Sequence, residues 1–388
     1  MATSNGTRNR KQVAAALAMD DPAAVALDAG LCYVTDEMPG IRRRRCGHGF
    51  SYRDADGKTI RDKRVRERIV ALVIPPAWTD VWICPHARGH LQATGRDQAG
   101  RKQYLYHSGW REIRDQLKFE RLRDFGRVLP ELRARVERDL GLEGLPRDKV
   151  RAVVVRLLEL TGARIGHARY KRDNGTFGLA TLRRRHLEVS GRRVRLRFNG
   201  KGEREIVVEF EDATVAKILE ECEETPGYEL FRYRDDSGAL RNIDAEDVNG
   251  YIQGQTGGPF TAKDFRTWIA SREALVELEA AGPPGDKAEA ESNVKAAVES
   301  VAELLHNTPA VCRDSYIHPQ VIGGYLNGNA NGNGNGLPAT RGRRAAADRE
   351  GLHQQEVALL QVLASRAAPI TTIASATHLS RPTALAKP

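Results

Sequence analysis

The sequence predicts an α+β protein in two unequal parts: a small sheet-rich N-terminal domain, then a larger, mostly helical domain carrying a small antiparallel sheet. Three observations predict it. Between residues 31 and 110, short β-branched and aromatic runs alternate with turn signals such as Pro39-Gly40 and Asp56-Gly57. From Trp110 onward, apolar residues recur at spacings of three and four. Inside that helical stretch, Asn199-Gly200-Lys201-Gly202 separates two alternating runs and signals a hairpin. A chain of 388 residues has room for two or three such domains.

In chain order, residues 1–30 read as a mobile arm with a short helix over Lys11–Met19, stopped by Asp20-Asp21-Pro22. Strands are expected at Leu31–Thr35, Phe50–Arg53 and Trp82–Pro85, with a helix over Lys63–Leu72 between them. Residues 31–110 form the small domain. Residues 111–325 form the larger one, with helices over Arg111–Phe125, Val128–Leu140 and Lys149–Leu160. Strands follow at Thr176–Leu182, His186–Val189, Val194–Phe198 and Glu205–Phe210, the last two placing Lys201 at a hairpin tip. Helices resume over Asp212–Glu223, Asp244–Gln253, from Thr261 (a capping residue), and over Glu289–Leu305. Residues 326–345 are an Asn/Gly-rich linker, and residues 346–388 a tail with one helix, Arg349–Ser365.

Charge narrows the function. The net charge of +10 favours a polyanionic partner. Arginines cluster over Arg42–Arg45 and again from Arg53 to Arg68, and nine basic side chains stand between Arg183 and Arg204 against two acids. A merely solvated face mixes signs, whereas the stretch from Arg42 to Arg68 is mostly positive and suits phosphate contacts. No window approaches a membrane span and the N-terminus lacks a secretory apolar core, so a cytoplasmic protein is expected. Five scattered cysteines fit reduced thiols. Cys46, His48, Cys84, His86 and His90 match no zinc knuckle spacing, and no metal is assigned. A GxxxxGK[ST] loop and a clustered acidic triad are both absent, so neither ATP nor magnesium is expected as a cofactor.

Breaking a phosphodiester without these aids needs an in-line nucleophile, fixed cations on the non-bridging oxygens and an acid for the leaving oxygen. Tyr316, at the end of His306-Asn307-Thr308-Pro309-Ala310-Val311-Cys312-Arg313-Asp314-Ser315-Tyr316, offers a phenol that can store the bond as a new phosphodiester. Arginine, permanently charged and planar, suits the oxygens. A lysine on a hairpin tip suits the acid.

Four stretches carry a resemblance. Leu160-Thr161-Gly162-Ala163-Arg164-Ile165-Gly166 with Gly175–Leu182, Phe198-Asn199-Gly200-Lys201-Gly202, Lys263-Asp264-Phe265-Arg266-Thr267-Trp268 and Asn307–Tyr316 resemble, in order, the catalytic segments of type IB DNA topoisomerases of the bacterial and poxvirus group. Asp80–Pro85 and Gly89–His107 resemble that family's N-terminal module. The match runs from about Leu31 to Tyr325. It implies a two-domain clamp around double-stranded DNA, acting as a monomer in the cytoplasm, on the nucleoid. Arg164 and Arg266 would hold the non-bridging oxygens, Lys201 would protonate the leaving 5′ oxygen, and Tyr316 would become linked to the 3′ phosphate. Gln103, Tyr104 and Tyr106 match positions where the family touches DNA, and Tyr170 is placed at the same interface.

The sequence departs from the family once. Many members have a histidine nine positions before the tyrosine, where this chain has Asn307, next to His306. Neighbouring residues of a helix point about 100° apart. Asn307, an uncharged donor, is taken as the transition-state contact, with His306 the alternative in a shifted register. A second reading of the whole chain is a tyrosine site-specific recombinase. It fits less well: the residues before the catalytic domain are sheet-rich, no His-x-x-Arg box surrounds Arg266, and the chain beyond Tyr316 runs into an Asn-Gly linker. A third is a non-catalytic DNA-binding protein, which would not need Arg164, Lys201, Arg266 and Tyr316 together.

Overall fold

The computed structural model describes residues 22–168, 171–172, 175–328 and 351–364. The helix expected over Lys11–Met19 and the contact residue Tyr170 lie outside the described residues, as does most of the expected linker. The end of the expected arm is a packed helix, α1 (Pro22–Asp28), whose Val25 and Ala26 are buried with Trp110 and Leu117.

The N-terminal part is a five-stranded antiparallel sheet in the order β2-β1-β3-β4-β5. Its strands are β1 (Ile41–Cys46), β2 (Gly49–Arg53), β3 (Thr79–Ile83), β4 (Leu91–Arg96) and β5 (Lys102–Tyr106). Helix α2 (Lys63–Ala71), capped by Asp62 accepting from Val65 N at 3.0 Å, covers one face, and Ile41, Ile69, Val81, Ile83 and Ala93 form the core beneath it. The arginine run thus proves to be a strand. Arg43 turns inward and donates to the carbonyls of Ile74, Pro75 and Trp78 at 3.3, 3.1 and 2.6 Å. Leu31–Thr35 is no strand of this sheet; Cys32 makes only an isolated bridge to Gly89.

The second part begins with α3, a helix of 33 residues over Ser108–Leu140 where two helices were expected. His107 caps it, Nδ1 accepting from Gly109 N at 3.1 Å. Pro130 removes one backbone donor, but Phe125, Leu129 and Leu132 bury on one side and the helix continues. It packs against α4 (Arg147–Thr161), whose apolar face is fully buried. The expected strand Thr176–Leu182 is instead a loop ending in a short 3-10 turn at Leu179–Thr181.

Next come the three-stranded antiparallel sheet β6 (Leu187–Ser190), β7 (Arg193–Asn199) and β8 (Glu205–Glu211), with α5 (Ala213–Glu224) packed on it. A small hairpin, β9 (Arg232–Arg234) and β10 (Leu240–Asn242), follows. Helices α6 (Ala245–Thr256), α7 (Ala262–Ala281), α8 (Lys287–Leu304), α9 (Pro309–Ser315) and α10 (Pro319–Gly328) complete the helical core; α10 reaches into the expected linker. The tail contributes α11 (Gln354–Ala364), whose Leu359 and Leu363 belong to the same core as α3, α4 and α7. The architecture is therefore α+β, as the hydrophobic pattern predicts.

Candidate active site

The site is assembled where α4, α7 and α8 end or begin. Helix α4 stops at Gly162, which adopts φ +58° and donates its N–H to Leu158 O at 3.0 Å, the left-handed cap glycine favours. Two residues on, Arg164 is held by its backbone, its carbonyl accepting from Leu179 N at 2.9 Å. Gly166 and Gly178 let two backbones touch there: a Cβ on Gly178 would lie 2.4 Å from Gly166 N. Arg164 Nη2 donates to Asn307 Oδ1.

Arg266 sits in the second turn of α7 and is 4% exposed. The start of α7 is fixed by buried Asp264, which accepts from Thr261 N at 2.8 Å and from Arg121 Nη2 at 2.9 Å. Arg266 Nη1 donates to Gly162 O and Nη2 to Leu305 O at 3.0 Å, tying the Arg164 loop to the end of α8; its Nε has no partner among the described residues. The guanidinium carbon lies 4.9 Å from the Tyr316 ring centroid.

Tyr316 closes α9, a helix begun by Thr308 and Pro309. Its backbone is gripped from outside: Ser271 Oγ donates to Tyr316 O at 3.2 Å, and Lys118 Nζ from α3 donates to Ser315 O at 2.9 Å. Burial works against the phenolate, but Arg266 first, then Arg164 and Lys263, more than offset it, and the phenol stands below its ordinary pKa of 10.0. Burial, with Arg266 and Arg164, holds His306 below its ordinary value, so it is neutral at pH 7. Among the described residues the buried Nδ2 of Asn307 has no oxygen acceptor; the Cys312 thiol is its neighbour.

Four of the five expected catalytic residues, Arg164, Arg266, Asn307 and Tyr316, are thus brought together. Lys201 is not among them. It is exposed at the tip of the β7–β8 hairpin and pairs with none of the four. The hairpin base reaches the site, however, with Arg204 Nη1 donating to Asn307 O at 3.4 Å beside a cleft of about 500 Å³ that His306 and Pro309 also line. Along the hairpin the arginines are already paired: Arg192 with Glu211 at 2.8 Å, Arg195 with Glu209 at 3.2 Å, Arg197 with Glu205 at 2.8 Å. The acids that neutralise this part of the basic run come from β8.

Residues 107–327 match the family described as eukaryotic DNA topoisomerase I, catalytic core, and residues 49–97 match bacterial DNA topoisomerase IB, N-terminal domain. The DNA topoisomerase 1B of Acanthamoeba polyphaga mimivirus is 30% identical over 297 residues, covering 75% of this chain and 88% of that protein. The chain belongs to the type IB DNA topoisomerases.

As a type IB topoisomerase it is an isomerase whose partner is DNA. No helix among the described residues is long and apolar enough to cross a membrane. The expected DNA-contact residues on β5 differ in freedom. Tyr104 is 49% exposed and stacks on Tyr106 with ring centroids 6.1 Å apart. Gln103 Nε2 donates to Asp97 at 2.8 Å, and Tyr106 is half-buried, burial pushing its phenol up. Sequence reasoning missed Lys118, Ser271 and Arg204. Lys118 sits between Leu117 and Phe119 in a helix of mixed polarity, and nothing in the local pattern marks it. Lys263 was visible as part of a motif, but its field at Tyr316 needs the fold.

Proposed function

We propose that this topoisomerase relaxes supercoiled duplex DNA by cutting and resealing one strand through Tyr316. The phenol gives its proton to solvent and its oxygen attacks a backbone phosphorus. The bond from phosphorus to the 5′ oxygen breaks, and Lys201, swung in on the hairpin tip, gives that oxygen a proton. The 3′ phosphate remains on Tyr316 while the free end rotates, and the reverse displacement reseals the strand. Arg164 and Arg266 take the charge on the non-bridging oxygens, and Asn307 Nδ2 adds an uncharged donor. The phosphotyrosyl bond conserves the energy of the broken one, so the cycle needs no ATP, and side-chain cations take the role a metal would have.

The observation that supports this reading is the convergence of Arg266, Arg164 and Asn307 on the segment ending at Tyr316. Residues 31–110 and 111–325 would be the two halves of a clamp around the duplex, with Gln103, Tyr104, Tyr106 and Tyr170 facing it. The enzyme would act as a monomer in the cytoplasm, on the nucleoid. The test is relaxation of a supercoiled plasmid lacking any recombination site, in EDTA and without ATP, by the parent chain and by Tyr316→Phe. Relaxation and a denaturant-trapped protein–DNA adduct are expected from the parent and neither from the variant. An active Tyr316→Phe protein would exclude Tyr316 as the nucleophile.

A further inference from the structure

The tail helix α11 returns to the back of the helix that carries Arg266. Its Glu356 is completely buried. Oε1 accepts from the Trp268 indole at 3.0 Å and from Arg133 Nη2 at 2.7 Å; Oε2 accepts from Arg133 Nη1 at 2.8 Å and from His353 N at 2.9 Å. Arg272 Nη1 stands 3.7 Å from Oε1. Trp268 and Arg272 belong to α7, as Arg266 does. Apolar packing is equally close: a Cβ on Gly126 of α3 would lie 2.3 Å from the Trp268 ring and 2.9 Å from Leu360 of α11.

Helix α7 is therefore held from two sides. Towards the site, Ser271 Oγ bonds the Tyr316 carbonyl at 3.2 Å and accepts from His318 N at 2.9 Å. Towards the tail, one carboxylate takes up the Trp268 donor and the Arg133 fork. A buried carboxylate is costly unless paired and hydrogen-bonded, and a fully satisfied network of this kind selects one arrangement of its members. Arg133 has a second acid, Glu159 at 2.5 Å, but the Trp268 indole has Glu356 as its acceptor.

We propose that Glu356 is a positioning residue for strand cleavage: through it the tail helix fixes α7 and so the placement of Arg266 against Tyr316. The inference rests on the catalytic roles proposed above. It gives the tail, separated from the catalytic core by the Asn/Gly-rich run, a part in the chemical step.

The test compares the full-length parent with Glu356→Ala and Glu356→Gln, each checked for folding by thermal melting. The rate of covalent adduct formation is measured in single turnover, at saturating enzyme, on a duplex that loses its leaving strand, across the pH range. Glu356→Ala is expected to cleave on the order of tenfold more slowly, as small misplacements of a catalytic group do. Glu356→Gln, whose amide oxygen still accepts from Trp268, should lose less, and DNA affinity should stay unchanged in both. The rising limb of the pH profile should move to higher pH, because Tyr316 loses part of the Arg266 field while Arg164, Lys263 and Lys118 remain. Parental rates in folded variants, or slower rates with an unmoved pH profile, would overturn the proposal; should Glu356→Ala not fold, Glu356→Gln carries the decision. Absence of any adduct from the parent would bring down the catalytic reading and this one with it. Parental kinetics in the variants would bring down this one alone.

Discussion

The Arg266 guanidinium lies over the Tyr316 ring, 4.9 Å from its centre, while its two terminal nitrogens hold the carbonyls of Gly162 and Leu305. The same cation thus fixes the loop before Arg164 and biases the phenol towards ionisation. Arg266→Ala should slow adduct formation by roughly 10²–10³, the usual loss for one fixed electrostatic group. The sign of the pH effect follows: Arg266 lowers the Tyr316 pKa, so its removal raises it, and the alkaline rise of the rate moves upward in pH. A pH profile identical to the parent's would show that Arg266 does not govern the phenol.

Asn307 receives the Arg164 guanidinium on Oδ1, and its buried Nδ2 has the Cys312 thiol beside it and no oxygen acceptor among the described residues. His306, at φ +49° and held neutral by burial and two arginines, carries no charge to offer at pH 7. Asn307→Ala should therefore slow cleavage by on the order of tenfold or more, the loss of one hydrogen bond to a charged group, and His306→Ala by less. The comparison is made in single turnover at pH 7, and the reverse order would assign the donor to His306.

Gly178 packs directly on the Gly166 backbone, with no side chain between them. Gly178→Ala places a methyl where only main chain could give way, so the Arg164 loop must move. A loss of about 1–3 kcal/mol in unfolding free energy is expected, as for overpacked cores, with adduct formation reduced further than the stability loss explains. Urea unfolding and single-turnover cleavage on the same preparation check both.

Lys118 of helix α3 holds the segment ending at Tyr316, through Ser315 O at 2.9 Å. Burial lowers its pKa, and Asp115 at 3.2 Å works in the opposite direction. Lys118→Met keeps the stem and removes the donor. Cleavage should slow by roughly tenfold, the equivalent of one charge-assisted hydrogen bond, while filter-binding affinity for duplex DNA stays at the parental level. An equal drop in both would make Lys118 a DNA contact instead.

Much of this was legible in the sequence, and the failures have physical causes. Arg164, Arg266, Asn307 and Tyr316 stand in local motifs whose spacing survives in one dimension. The strand β1 was hidden because Arg42–Arg45 shows no polar–apolar alternation; Arg43 occupies an inward position by satisfying carbonyls and laying its guanidinium 4.1 Å from the Phe50 ring centroid. Helix α3 read as two because Gly126 and Pro130 are local breakers, while the burial of Phe125, Leu129 and Leu132 that overrides them is tertiary. Thr176–Leu182 has strand-like composition, but Phe177 N donates to Asn199 O, Leu179 N and Ala180 N to Arg164 O and Ile165 O, and Thr181 N and Leu182 N within their own turn, so no ladder forms. Lys118, Ser271 and Glu356 act across the fold from distant segments, and no one-dimensional spacing could place them.

The pairing of arginine with glutamate along β7 and β8 bears on the movement proposed for the lysine tip. A hairpin whose strands carry paired arginines and glutamates would meet less electrostatic drag beside a polyanion if it swings as proposed above. In the cleavage proposed above, Lys201, exposed at its end, would bring its proton on an arm whose paired arginines add little to overall grip. In the proposed cycle that motion would recur with each nick and seal, and such an arm would serve it better than an adhesive one.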